Sequence, residues 1–222
     1  MKYKKLHPWN ISIEKAKEIQ LKLRKKVHFI PLRKIRTVAA VDVSFIKKTA
    51  IGVAAVFSCP DLELIEERIF VSKPKFPYVP GYLTFREGPI MLGALAKLKK
   101  VPDVILFDGQ GIAHPRGMGE AAHLGVLLDR PSIGCAKSRL IGEYSDPGKK
   151  KGSFSKIYLD GRVIGAAVRT RDGVKPIFVS VGHKMDLRSA LKVVLSCSTW
   201  YRIPDPLRFV HMESVKHARK AA

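Results

Sequence analysis

The sequence is poor in side-chain amides, in cysteine, in long apolar runs and in acid. Asn10, Gln20 and Gln110 are its only amides, a depletion that suits a heat-adapted protein because amides are thermolabile. Cys59, Cys135 and Cys197 are widely spaced and match no paired-ligand pattern, which excludes a disulfide framework and a zinc knuckle and leaves reduced thiols as the expectation. No stretch approaches the roughly 20 apolar residues that cross a bilayer. The Lys-rich start runs into Trp9, Asn10 and Ser12 instead of a secretory apolar core, so a cytoplasmic location with no membrane partner is expected. Acid is outnumbered, with 19 Asp and Glu against 41 Lys and Arg, a net charge of +22. Such an excess works against compactness and is kept where the partner is a polyanion, nucleic acid first. It is concentrated at the front: residues 1–36 hold twelve Lys or Arg against Glu14 and Glu18.

What is present is enough for a core. With 222 residues, 46% hydrophobic and 27% charged, the chain is expected to form one domain over 1–222, without disorder through most of its length. Ile13, Ala16, Ile19, Leu23 and Val27 recur at helical spacing after Ser12, a suitable N-cap, and predict a basic amphipathic helix. Thr37 to Phe45, Ala50 to Phe57 and Leu62 to Val71 read as strands of an antiparallel meander. Pro74, Pro77, Pro80 and Gly81 make a stiff loop. A helix over Leu83 to Lys100, the buried-type strand Val104 to Phe107, a helix over Met118 to Leu128 and a strand over Ser132 to Ala136 follow. Ser145 to Gly152 reads as a mobile basic loop. A hairpin turns at Asp160-Gly161, Ile177 to Val181 adds a strand, and two helices close the chain, the second with Asp205 as cap and Pro206 at its first position. Strands first and then strands alternating with helices argue an α/β protein, a mixed sheet flanked by helices.

Two carboxylates stand in the wrong company. Asp42 lies among Val38, Ala39, Ala40, Val41, Val43 and Phe45, and Asp108 ends the apolar run Val104 to Phe107. An uncompensated buried carboxylate costs several kcal/mol or takes up a proton, so something positive must sit beside each. Taken singly, either Asp could start a turn or pair with a structural Arg. If the strands are neighbours, both can face one cation, and an all-oxygen site favours a hard ion, Mg²⁺ or Mn²⁺. From the residues alone, Thr84-Phe85-Arg86-Glu87 reads as a capping box, His211 as a packed helical residue and Lys137 as ordinary strand-end charge.

The segments VAAVDVSF, FPYVPGYLTFREGP, LFDGQGIAHPRGMG, IGCAKSRL, VSVGHKMDL and RIPDPLRFVH follow one another in an order that resembles the endonuclease V family of deoxyinosine 3′ endonucleases, over nearly the whole chain. The resemblance implies a ribonuclease H-like fold, with Asp42 and Asp108 matching the Mg²⁺-binding aspartates and Glu87 the third carboxylate, against its capping-box reading. His211 and Lys137 match the family's active-site histidine and lysine. Pro77, Tyr78, Val79 and Pro80 match its DNA wedge, and Gly81, Leu83, Gly109, His114 and Gly119 its lesion pocket. Glu120 and Ala121 depart from the pattern, where neutral or bulkier residues stand, and this bears on pocket selectivity.

The implied activity is a Mg²⁺-dependent nick, with Mn²⁺ as a substitute, in damaged DNA at the second phosphodiester bond 3′ to deoxyinosine. It would leave 3′-hydroxyl and 5′-phosphate ends and be the work of a monomer. A flipped hypoxanthine must be read in a close pocket while a rigid wedge fills the gap it leaves. Two other readings are an inosine-specific endoribonuclease, since only the 2′-hydroxyl separates the polymers, and a non-catalytic basic protein that binds nucleic acid. The second does not account for acids in the centres of apolar strands.

Overall fold

The computed structural model describes residues 1–32 and 34–220. β-branched and small residues make Thr37–Ile46 (β1), Thr49–Ser58 (β2) and Leu64–Ser72 (β3) an antiparallel meander, in keeping with their strand propensity. Val104–Phe107 (β4) and Ser132–Ala136 (β5) extend the sheet in parallel beside β1. Every residue of both is buried, as in strands covered on both faces. Phe154–Leu159 (β6), Arg162–Val168 (β7) and Ile177–Val181 (β8) complete eight strands in the order β3-β2-β1-β4-β5-β8-β7-β6.

Ile13–Leu23 (α1), Leu83–Ala96 (α2), Glu120–Leu128 (α3), Leu187–Ser196 (α4) and Asp205–Lys220 (α5) flank the sheet. The period of two along each strand decides which layer a residue meets. Val38, Ala40, Val104 and Leu106 pack with Val193, Val194, Leu207 and Val210 of α4 and α5. Ala39, Val41, Ile105 and Phe107 pack with Ile90, Leu92 and Leu95 of α2 and Leu124 of α3. α1 lies outside this second layer, its Ala16, Ile19 and Leu23 against Phe85, Ala122 and Val126. The mixed sheet flanked by helices is therefore the one expected from the sequence.

Several ends differ. α1 stops at Leu23 because the following Arg24–Lys26 form a 3-10 turn with no buried residue to hold another helical turn. α2 stops at Ala96, four residues early. Beyond it, the Glu66 carboxylate accepts from the backbone N–H of Lys99 at 2.9 Å and of Lys100 at 2.8 Å, drawing the chain toward β3. Asp205 is the first helical residue of α5 rather than its cap, and its carboxylate accepts from Thr199 N and Oγ1 at 2.8 and 2.7 Å. The 145–152 loop is held, not loose: the buried Arg169 donates to Gly148 O at 3.2 Å and Asp146 Oδ2 at 2.6 Å.

β5 supports the loop that leaves β4. A Cβ added at Gly134 would fall 2.5 Å from Gly111 N and 2.6 Å from Gly109 O, so both backbone segments would have to move. Gly134→Ala is expected to cost about 1–3 kcal/mol in urea unfolding, the usual range for an overpacked core.

Candidate active site

The three parallel strands end at one edge of the sheet, where α/β proteins place ligands. β1 and β4 are last paired at Val41 and Phe107, so Asp42 and Asp108 are the next residue on each. Asp42 shares the parity of Val38 and Ala40, and Asp108 that of Val104 and Leu106, which turns both toward the same face. Lys137 follows Ala136, the last residue of β5, and its Nζ donates to Asp108 Oδ2 at 2.6 Å.

Asp42 is 9% exposed, and its partners come from α5. His211 Nδ1 lies 3.0 Å from Oδ2, and Ser214 Oγ donates to the same oxygen at 2.9 Å. The two are three apart on the helix and so share a face. Ser44, two residues along β1 and on the same strand face as Asp42, lies 2.7 Å from Ser214 Oγ. The His211 side chain is 51% exposed, so it is not the packed residue its composition suggested.

Glu87 is not a capping-box glutamate. α2 begins at Leu83 with Tyr82 as its N-cap residue, which leaves Thr84 buried inside the helix. Glu87 instead faces the aspartates: its carboxyl is pushed up to about 8 by burial first, then by Asp42 and Asp108, with Arg86 opposing them. A fourth acid joins them. Glu120, the first residue of α3, is 4% exposed with both carboxyl oxygens unpartnered. Burial first, then Glu87, Asp42 and Asp108, push it well above the carboxylate range. Acids that hold one another's protons this way fit a hard divalent cation, which would relieve the repulsion and suits an all-oxygen donor set. Elsewhere, Glu67 of β3 with Glu213 and His217 of α5 bring one ligand atom each within 4.8 Å of one another, but Lys216 already neutralises Glu213 at 2.9 Å.

A cavity of about 360 Å³ adjoins the acids. Gly81, Leu83, Gly109, His114 and Gly119 all line it, as do Tyr78, Val79 and Pro80; Pro77 is exposed beside it and does not. Tyr78 stands 70% exposed at its edge. Gly81 adopts a φ of +80°, which favours glycine, and its carbonyl accepts from Gln20 Nε2 at 3.1 Å, His114 Nε2 at 3.0 Å and Arg116 Nη2 at 2.6 Å. His114 Nδ1 accepts from Arg116 N at 3.2 Å, so its ring is the neutral Nε2–H tautomer. Burial, with the nearby Arg116 cation, lowers it to about 4. The opposite wall is braced by Gln110, whose Nε2 donates to Ser138 O at 3.1 Å. Sequence reasoning missed Ser214, Gln20, Gln110 and Arg116 as site supports; the scarcity of amides was the signal for the two glutamines.

A sequence model of the endonuclease V family matches residues 17–212. The chain is 50% identical over 219 residues to an endonuclease V of Methanothrix thermoacetophila, covering 99% of this chain and 98% of that one. The crystal structure of an endonuclease V from Streptomyces avermitilis superposes with a TM-score of 0.92 at 38% identity, covering 96% of both chains. That of Ciona intestinalis, in complex with a DNA 23mer containing an inosine followed by a ribo-adenosine, superposes at 0.84 with 34% identity, covering 96% of this chain and all (100%) of the other. The mixed sheet is thus of the ribonuclease H-like type.

The repulsion on Glu87 makes a prediction about stability. In the fold its carboxyl keeps a proton up to about pH 8, whereas an unfolded glutamate releases it near 4.5. Its stabilising contribution is therefore full below 4.5 and is lost as pH rises to 8. Without divalent metal, Glu87→Gln should melt several degrees above the unaltered protein at pH 8, the gap closing toward pH 4.5. Added Mg²⁺ should raise the melting temperature of the unaltered protein more than that of the variant, as read by differential scanning calorimetry.

Proposed function

The chain belongs to the endonuclease V family and is an endonuclease, and from that premise we propose that it nicks DNA at deoxyinosine, the product of adenine deamination. The observation that carries this reading is the placing of Asp42 and Asp108 at the ends of adjacent parallel strands, with Glu87 beside them and a base-sized cavity adjoining. Under this reading the whole chain, 1–222, acts as one catalytic domain and as a monomer. The cut falls at the second phosphodiester bond 3′ to the lesion and leaves 3′-hydroxyl and 5′-phosphate ends.

Asp42, Asp108 and Glu87 would hold Mg²⁺, or Mn²⁺ in its place, which when bound polarises the scissile phosphate and acidifies water. The rest falls to the chain's own groups. Lys137 Nζ, beside Asp108, brings positive charge to where the phosphorane builds up negative charge. His211, with Nδ1 turned to Asp42, has Nε2 to accept a proton on the solvent side when its ring is neutral. Ser214 and Ser44 fix the Asp42 carboxylate.

Substrate recognition is divided between cavity and wedge. Pro77 and Pro80 stiffen the loop around the exposed Tyr78, so little entropy is lost when the aromatic ring fills the gap left by a flipped base. His114 and the backbone around Gly81, Gly109 and Gly119 approach the base closely enough to read its shape. The Lys-rich front supplies salt-dependent attraction to phosphates. No described helix is long and apolar enough to cross a membrane.

An inosine-containing duplex incubated with Mg²⁺, with product ends mapped beside an undamaged control, tests the reading; equal cutting of both duplexes would overturn it. Asp42→Ala is expected to lower nicking on the order of a thousandfold, several kcal/mol of transition-state stabilisation, while DNA binding stays salt-sensitive. Tyr78→Ala should weaken binding to the lesion duplex about tenfold or more in an anisotropy titration, the worth of one stacked base, with undamaged duplex affected less. A second reading, inosine in RNA as the preferred substrate, is favoured by the ribo-adenosine that follows inosine in the ligand of the Ciona intestinalis complex. Cleavage of sequence-matched DNA and RNA strands, side by side, separates the two.

A further inference from the structure

Glu120 has a carboxyl that nothing in the fold uses. It is 4% exposed, both of its oxygens lack a hydrogen-bond partner, and it lines the same cavity as Tyr78, Gly81 and His114. A glutamate in the first turn of a helix ordinarily turns back to the free N–H groups there, but this one does not. Its Oε2 sits 3.2 Å from where a Gly109 side chain would begin, so the absence of a side chain at 109 gives the carboxyl its room. Leaving a buried acceptor orphaned costs about 1–3 kcal/mol, a cost that a ligand hydrogen bond would offset.

We propose that Glu120 is a specificity-determining residue of this pocket, accepting a hydrogen bond from the ring N–H of a flipped, deaminated base. The inference rests on the base-flipping function above and adds what the pocket reads. Deamination turns the ring nitrogen of adenine or cytosine from an acceptor into an N–H beside a new carbonyl. A carboxyl oxygen accepts from that N–H whether or not the acid carries its proton, and as a carboxylate it also repels the bare nitrogen lone pair of the parent base. In its carboxylate form Glu120 thus separates lactam bases such as hypoxanthine, xanthine and uracil from amino bases. Guanine, which also carries the N–H, is left to the shape of the cavity to exclude.

The test compares duplexes holding one 2′-deoxyinosine with duplexes holding 2′-deoxynebularine, the same purine without the carbonyl or the N–H. The readouts are single-turnover cleavage with Mg²⁺ and anisotropy binding without metal. Glu120→Leu should lower the inosine-to-nebularine ratio about tenfold or more, the worth of a hydrogen bond to a carboxyl group. Glu120→Gln, whose amide oxygen still accepts, should hold the ratio within about threefold. Glu120→Ala serves as a second probe of the lost acceptor, and melting temperatures establish that each variant is folded. Leu and Ala variants that lose both substrates in equal proportion, or that leave the ratio unchanged, overturn the assignment of Glu120 alone. An unaltered protein that ignores inosine altogether overturns the parent function and this inference with it.

Discussion

Four acids crowd one corner of this protein, and their mutual repulsion is the constraint around which the rest is arranged. Asp42 and Asp108 end up side by side because β1 and β4 run parallel and in register; Glu87 arrives from the second turn of α2 and Glu120 from the first residue of α3. The fold answers with few local cations. Lys137 serves Asp108, and His211 with Ser214 serves Asp42, while Glu87 is driven up to about 8. A site dedicated to structural ion pairs would carry a cation for each acid, since removing one partner of a buried pair is strongly destabilising. This one stays deficient in positive charge, which suits it to a divalent cation.

The adjoining cavity is held by different means. Its walls come from loops, and loops keep a shape only where their backbone groups are tied. The Gly81 carbonyl collects donors from Gln20, His114 and Arg116, which links the proline loop to α1 and to the segment before α3. Gln110 ties the opposite wall to Ser138. In a chain with almost no amides, two of them brace this one cavity. Arg116 also lies over the Tyr82 ring at 4.1 Å, so the entrance to α2 is fixed on both sides. On the proposed reading, a cavity braced in this way beside the exposed Tyr78 takes up an extruded base with a smaller entropic cost.

Much of this was legible in the sequence. The strands announced themselves as apolar, β-branched runs, and Asp42 and Asp108 stood out because charge is rare inside them. The parallel pairing that brings them together could only be supposed, because register is a long-range property. Glu87 shows where local pattern misleads. Thr84 and Glu87 have capping-box spacing, but the N-cap is Tyr82, two residues before Thr84, so the pattern sits inside the helix. His211 shows the converse: helical periodicity placed it on an inner stripe, while the stripe's edge opens on the site. The end of α2 was set by tertiary contacts, above all the Glu66 bonds to Lys99 and Lys100, which no local rule anticipates. Ser214 carried no distinguishing pattern, and only its burial and hydrogen bonds singled it out; Glu120 stood out only as a departure from the family pattern, and its burial without a partner gave that departure a meaning.

The most direct measurement of the central claim is the anomalous difference density of Mn²⁺ soaked into crystals of this protein. Its strongest peak is expected between the carboxylates of Asp42 and Asp108, within reach of Glu87. A strongest peak at Glu67, Glu213 and His217 instead, or no peak at the strand ends at millimolar metal, would contradict it.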